Sequence, residues 1–199
     1  MPKTKSSTTS GNCYVALLRG INVGGNNLIK MADLRSRFGA IGFTGVQTYI
    51  QSGNVVFCSK QMTKARLTEM IERALSEAFS YESRVVVVSA GELQQVVAQA
   101  PKGFGKEPDV YRYDVLFVRE PFKVSEALEL VPVNPDVDTV HAGDHALYFR
   151  RVIANAAQSR LNKLVQRAVY KHITVRNWRT TTKLLEMVTD VDRNARRAV

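Results

Sequence analysis

The sequence is poor in the residues that build metal centres and disulfide frameworks: two cysteines, three histidines and a single tryptophan in 199 positions. Two cysteines, Cys13 and Cys58, cannot make a framework of bridges. They point to a reducing cytoplasm and to thiols packed as small hydrophobes. His141 and His145 flank a turn near Asp138 and Asp144, but a metal site needs three or four ligands in register, and no metal or cofactor is expected. No apolar run reaches the roughly 20 residues of a membrane helix, so no membrane partner is expected. Residues 1–11 are Ser/Thr-rich, lack the apolar core of a signal peptide and read as a disordered tail. A Ser/His/Asp or Cys/His set is missing, as is a well-spaced carboxylate pair. Acidic residues are also short, 18 against 28 basic, which gives a net charge of +10. That sign favours anionic partners, nucleic acid or a phosphorylated small molecule. Part of the excess falls on Lys3, Lys5, Arg193, Arg196 and Arg197, in segments read as tails.

What is present is ordinary globular patterning, 45% apolar and 23% charged. Residues 13–19 form a short apolar run, read as a buried strand. Met31, Leu34, Phe38 and Ile41 recur at helical spacing, and Gly42 marks a stop. Residues 46–51 and 54–58 read as strands joined by a Ser52-Gly53-Asn54 turn. An amphipathic helix over 67–78 and a buried strand over 84–89 complete a βαββαβ order. Ser89 and Glu92 then form a capping box for a further helix.

After the Gly/Pro-rich stretch 101–109 the order recurs. Strands are expected at 113–118, 139–142, 145–150 and 173–178, with helices at 124–130, 161–169 (capped by Ser159) and 181–188. The expected fold is α+β: two tandem ferredoxin-like units with antiparallel sheets, plus a C-terminal helix. The boundaries are 12–100 and 112–189, with a linker at 101–111 and a flexible tail at 190–199.

In a ferredoxin-like unit the first and third strands pair antiparallel. That pairing sets Cys13 beside Cys58 at one edge and Arg19-Gly20 beside the Ser52 turn at the other. Arg19, Asn22, Asn26, Asn27, Gln51, Ser52 and Asn54 therefore gather at one sheet edge. Glycines Gly20, Gly24 and Gly25 let backbone N–H groups converge on an anion, and Arg19 adds a bidentate fork. The ordinary alternative is that the asparagines cap the loop's own backbone. The glycine spacing lacks both the P-loop ending and the dinucleotide fingerprint. A second polar cluster holds Arg176, Asn177, Trp178, Thr180 and Lys183 at a helix start, where an anion would be favoured. Arg160, Lys163, Arg167 and Lys171 fall on one helical stripe, read as a solvated face or a phosphate track.

The stretches "ALLRGINVGGNN…KMADLR", "GFTGVQTYIQSGNVVF" and "KHITVRNWRTTTKLLEM" together resemble the bacterial domain-of-unknown-function family 1697, over residues 14–187. The resemblance implies a small cytoplasmic α+β protein and no particular activity. It marks Arg19, Gly20, Asn22, Gly24, Gly25 and Asn27 in the first motif, and Gln51, Ser52, Gly53 and Asn54 in the second. In the third it marks Arg176, Asn177, Trp178, Thr180 and Lys183. Three functions compete. The first is a binding site for a phosphate-bearing ligand at the Gly/Asn loop. The second is an enzyme on a small anionic substrate held by Arg19, Arg176 and Lys183. The third is a structural role in which these motifs lock the units together.

Overall fold

The computed structural model describes residues 12–22 and 27–197. The chain is an α+β protein with two four-stranded antiparallel sheets. The first unit runs β1 (Asn12–Leu18), α1 (Met31–Ala40), β2 (Thr44–Tyr49), β3 (Asn54–Ser59), α2 (Lys64–Phe79) and β4 (Val85–Ser89), and is followed by α3 (Ala90–Ala98). The second runs β5 (Tyr111–Val118), α4 (Val124–Leu130), β6 (Asp138–Ala142), β7 (Ala146–Val152) and β8 (Ile173–Asn177), and is followed by α5 (Trp178–Arg197). The sheet orders are β2-β3-β1-β4 and β6-β7-β5-β8, so each unit has the ferredoxin-like arrangement with its first and third strands central.

Residues of β1 alternate between two cores because strand side chains point to opposite faces. Tyr14, Ala16 and Leu18 pack with Phe38 of α1 and Leu67, Ile71 and Leu75 of α2. Cys13, Val15 and Leu17 face the other way, onto Leu93 and Val96 of α3 and Leu184, Val188 and Val191 of α5. Val115, Phe117, Ala146 and Tyr148 of the second sheet join that same core. The two units thus share a middle layer, where α3 and α5 occupy the faces that α1 and α2 leave open. The outer face of the second sheet packs Leu116, Leu147 and Phe149 under Ala127 of α4 and under Leu161, Leu164 and Val169 of two short 3-10 segments.

Three details differ from the sequence reading. The helix expected over 161–169 is a series of 3-10 turns, Ala156–Gln158, Leu161–Gln166 and Ala168–His172. Leu161 and Leu164 are three apart, which matches the 3-10 repeat. Arg167 is extended (φ −93°, ψ 143°) and interrupts the run, leaving Val165 exposed. The stripe of Arg160, Lys163, Arg167 and Lys171 is therefore not one helix face. Second, α5 continues to Arg197, so residues 190–197 are helical, laced by ion pairs such as Arg196 with Asp192 at 2.8 Å. Third, Cys13 and Cys58 are directly opposite across β1 and β3, as the pairing requires, with Cα atoms 4.0 Å apart. They form a disulfide where free thiols were expected. The strand pairing that sets the two cysteines side by side puts their sulfurs within bonding reach, and the free-thiol expectation rested on cysteine count and the reducing compartment it implies.

Candidate functional site: a locked edge and an inter-unit cleft

β1 delivers Arg19 and Gly20 to the edge where the β2–β3 turn begins, and the Leu18 amide donates to the Gly53 carbonyl at 2.8 Å. Asn22 and Asn27 hold the loop to itself. The Asn22 amide nitrogen donates to the carbonyls of Ile29 (3.0 Å) and Gln51 (2.9 Å), its oxygen accepts from the Ile29 N–H (2.8 Å), and Asn27 donates to the Gly20 carbonyl (2.8 Å). Gly24, Gly25 and Asn26 lie outside the described residues. Asn54 is fully buried at the start of β3, where its amide donates to the Tyr49 carbonyl and to Ser52 Oγ.

Arg176 enters this edge from β8. Its Nε donates to Asn54 Oδ1 at 2.5 Å, and its Nη2 reaches the carbonyls of Leu18, Ser52 and Gly53 at 2.8, 3.0 and 3.3 Å. Its Nη1 donates to the Val175 carbonyl at 2.9 Å. Burial pulls this guanidinium down to about 10, which leaves it charged at neutral pH. Arg19 makes the return connection. Its Nη1 donates to the Lys171 carbonyl at 2.6 Å and its guanidinium lies 4.5 Å from the centre of the Tyr170 ring.

Of the described residues, Arg19 to Asn22, Asn27, the 51–54 turn and Arg176 thus come together at one seam. The rest of the third motif goes elsewhere. Asn177 Oδ1 accepts from the Thr180 N–H at 2.7 Å and caps α5, and Thr180 is buried. Trp178 packs edge-on against Phe104 at 5.2 Å, under the segment read as a linker. Lys183 is exposed and paired with Glu186 at 2.8 Å.

A second feature lies along β4, where the units face each other across a cleft of about 710 Å³. Lys64, at the start of α2, sits between Glu92 of α3 and Glu120 of the β5–α4 connection. Burial pulls the Lys64 ammonium down, but its bonds to Glu120 and Glu92 override that and hold it above the ordinary lysine value. Burial pushes Glu92 up, yet Lys64 and the Ser89 contacts outweigh it and hold the carboxyl below the usual range. His145 bridges in from the β6–β7 turn, with Nε2 2.5 Å from Gln95 Oε1 and Nδ1 3.9 Å from Glu92. Further along, Arg119 donates to Glu72 at 2.9 Å.

None of these cleft residues was singled out as a site in the sequence, apart from His145, which was weighed as a metal ligand. Glu92 carried only a capping signal, and that signal is correct: its carboxylate accepts from the Ser89 N–H at 2.9 Å. Among the described residues, no cluster of three or more His, Cys, Asp or Glu groups could hold a metal ion. Among them, also, no helix is long and apolar enough to cross a membrane.

Comparison with known proteins adds a family. No curated protein matches the chain. In structure it is similar to the conserved bacterial protein SP0830 from Streptococcus pneumoniae, with a TM-score of 0.77 and 27% identity over 89% of this chain and 99% of that one. A family model described as "Protein of unknown function (DUF1697)" matches residues 12–148, stopping short of the third motif. That match spans more than half of the sequence, and the chain belongs to the DUF1697 family.

Proposed function

We propose that the chain is a ligand-binding protein in which the Arg19, Asn22, Asn54 and Arg176 motif residues lock the two units, and the cleft along β4 takes the ligand. The observation that carries this reading is the use of Arg176. Its Nε, Nη1 and Nη2 are all committed to protein acceptors, four of them main-chain carbonyls. An incoming anion would have to displace contacts that hold β8 against the β2–β3 turn, so the residue serves as a latch. The cleft, at about 710 Å³, is of the size that small ligands occupy and has an apolar floor with polar groups around it. The test is a thermal-shift screen of small amides, amines and peptides on wild type and on Thr68→Trp, a change at a half-buried residue of the cleft wall that narrows the cleft. Stabilisation present in wild type and absent in Thr68→Trp supports the reading. Equal stabilisation of both defeats it.

A second reading keeps the phosphate-bearing ligand, nucleic acid or a phosphorylated small molecule, at the Gly20–Asn27 edge. It is favoured by an excess of positive charge there. Besides burial, the cations Lys171, Arg119 and Arg19 all depress the pKa of His172. Binding of a short RNA or a nucleotide that weakens steeply with salt, and weakens further in Lys171→Glu, would support it. Absence of binding at low salt would remove it.

A further inference from the structure

β4 is an edge strand, and the pairing alternation fixes where its main-chain groups point. The Arg19 amide donates to the Arg84 carbonyl at 3.0 Å, so Arg84 faces β1 and Val85 faces away from it. The alternation then turns Val86 and Val88 toward β1, and Val85, Val87 and Ser89 outward. Two contacts agree: the Val85 N–H donates to Glu72 Oε1 at 3.0 Å and the Ser89 N–H to Glu92 Oε2 at 2.9 Å. The two glutamates therefore cover both ends of the free edge, as edges are commonly protected. Between them the N–H and C=O of Val87 point into the cleft. Val87 is only 7% exposed. A main-chain donor and acceptor so enclosed are ordinarily paired.

The surroundings are chemically one-sided. Glu69, Glu72, Glu92, Glu120 and Asp144 line the cleft against three cations, Lys64, Arg119 and Lys123. The local balance is acidic in a chain whose net charge is +10. The floor is apolar, with Val86, Val88 and Phe117. From Val85 to Ser89 the edge is about 13 Å long, room for three or four extended residues.

We infer that the β4 edge takes a short extended peptide with basic side chains, its backbone pairing with the N–H and C=O of Val87. This is strand addition at a sheet edge, in which main-chain bonds supply affinity and the flanking side chains supply selectivity. The inference rests on the cleft reading above and names its ligand class.

The probe is the blocked pentapeptide acetyl-Lys-Val-Lys-Val-Lys-amide, titrated into the full chain and followed by 1H–15N spectra. Shifts centred on the amides of residues 86–88 are expected, with the Val87 N–H moving most. Methylating the central peptide nitrogen of the probe should weaken binding about tenfold, as should replacing its lysines by glutamates. Val87→Pro deletes the outward N–H on the side of the strand where proline is tolerated, and should weaken binding to a similar degree. The methylated probe makes the same test without touching the protein, should that variant misfold. Undiminished binding by the methylated or acidic probe overturns the inference. If butylamine or N-methylacetamide shifts the cleft amides and the peptide does not, the peptide inference fails and the cleft reading stands. If none of the three shifts residues 86–88 or 117–118, both fail.

Discussion

Arg176 and Asn54 are 122 residues apart in sequence and joined by a 2.5 Å hydrogen bond from Nε to Oδ1. This contact ties the closing strand of the second unit to the buried start of β3 in the first. With the three carbonyls on Nη2, it places four hydrogen bonds across the seam on one side chain.

Arg176→Ala should therefore destabilise the protein by about 3 kcal/mol, because it takes the guanidinium away from Asn54 Oδ1 and from the Leu18 and Ser52 carbonyls at a buried seam. For a chain of this size that is a fall in melting temperature of roughly 6–12 °C, read by circular dichroism. Arg176→Lys should recover less than half, since one ammonium cannot reproduce the planar fork. Unchanged melting in the alanine variant would mean that the latch holds nothing.

Gly53 and Gly20 separate two uses of positive φ at the same seam. Both are left-handed, at +73° and +68°. A Cβ on Gly53 would come within 2.8 Å of Leu18 Cβ, while one on Gly20 would meet nothing within 4 Å. Gly53→Ala should cost about 2–4 kcal/mol and Gly20→Ala about 1 kcal/mol, by urea denaturation. Equal costs would contradict the close approach.

The third motif divides in the same manner. Trp178→Ala removes an aromatic packed on Phe104 and should cost about 3 kcal/mol. Lys183→Ala breaks only an exposed pair with Glu186 and should stay within about 0.5 kcal/mol. Parallel melts of the two variants check this, and a large loss in Lys183→Ala would place that side chain in an unrecognised contact.

Acid sensitivity should trace to the cleft. Glu92 has a lowered pKa in the folded protein, so its contribution is present above the ordinary glutamate value and is lost as pH falls through the lowered one. Lys64 has a raised pKa, and its contribution is lost only as pH climbs through that raised value. At neutral pH both are in place. Between about pH 5 and pH 3 the melting temperature of wild type should fall more steeply than that of Glu92→Gln. Parallel slopes would show that Glu92 is not the titrating group.

The elements most legible in the sequence were those set by neighbours a few residues apart. The Ser89–Glu92 box, the Ser52–Asn54 turn and the alternation of β1 are local, and the β1–β3 pairing with its opposed cysteines followed from them. Residues 161–169 differ from the helical reading because Leu161 and Leu164, three apart, fit either a helical or a 3-10 period, and the extended Arg167 that separates Val169 from them has no local signal. The extent of α5 was hidden because its last turns are mostly polar, held by pairs such as Arg193–Asp190, and only Val191 and Ala195 carry the apolar stripe of Leu184 and Val188 onward. Lys64, Glu92, Glu120 and His145 meet through the docking of two units, so no spacing in the chain announces them. Arg176 was singled out, but a sequence carries no sign of whether an arginine faces a phosphate or four carbonyls.

The placement of α5 has a consequence for synthesis on the ribosome. The first unit and α3 are complete by Ala98, but the face bearing Cys13, Val15, Leu17, Val56 and Cys58 is finished by Leu184, Val188 and Val191. At translation rates of about 5–20 residues per second, the nascent chain carries that uncovered apolar surface for roughly 5–20 seconds. A chain stopped before Trp178 never leaves that condition and should collect in the insoluble fraction, a fate that the helix's late arrival spares the finished protein.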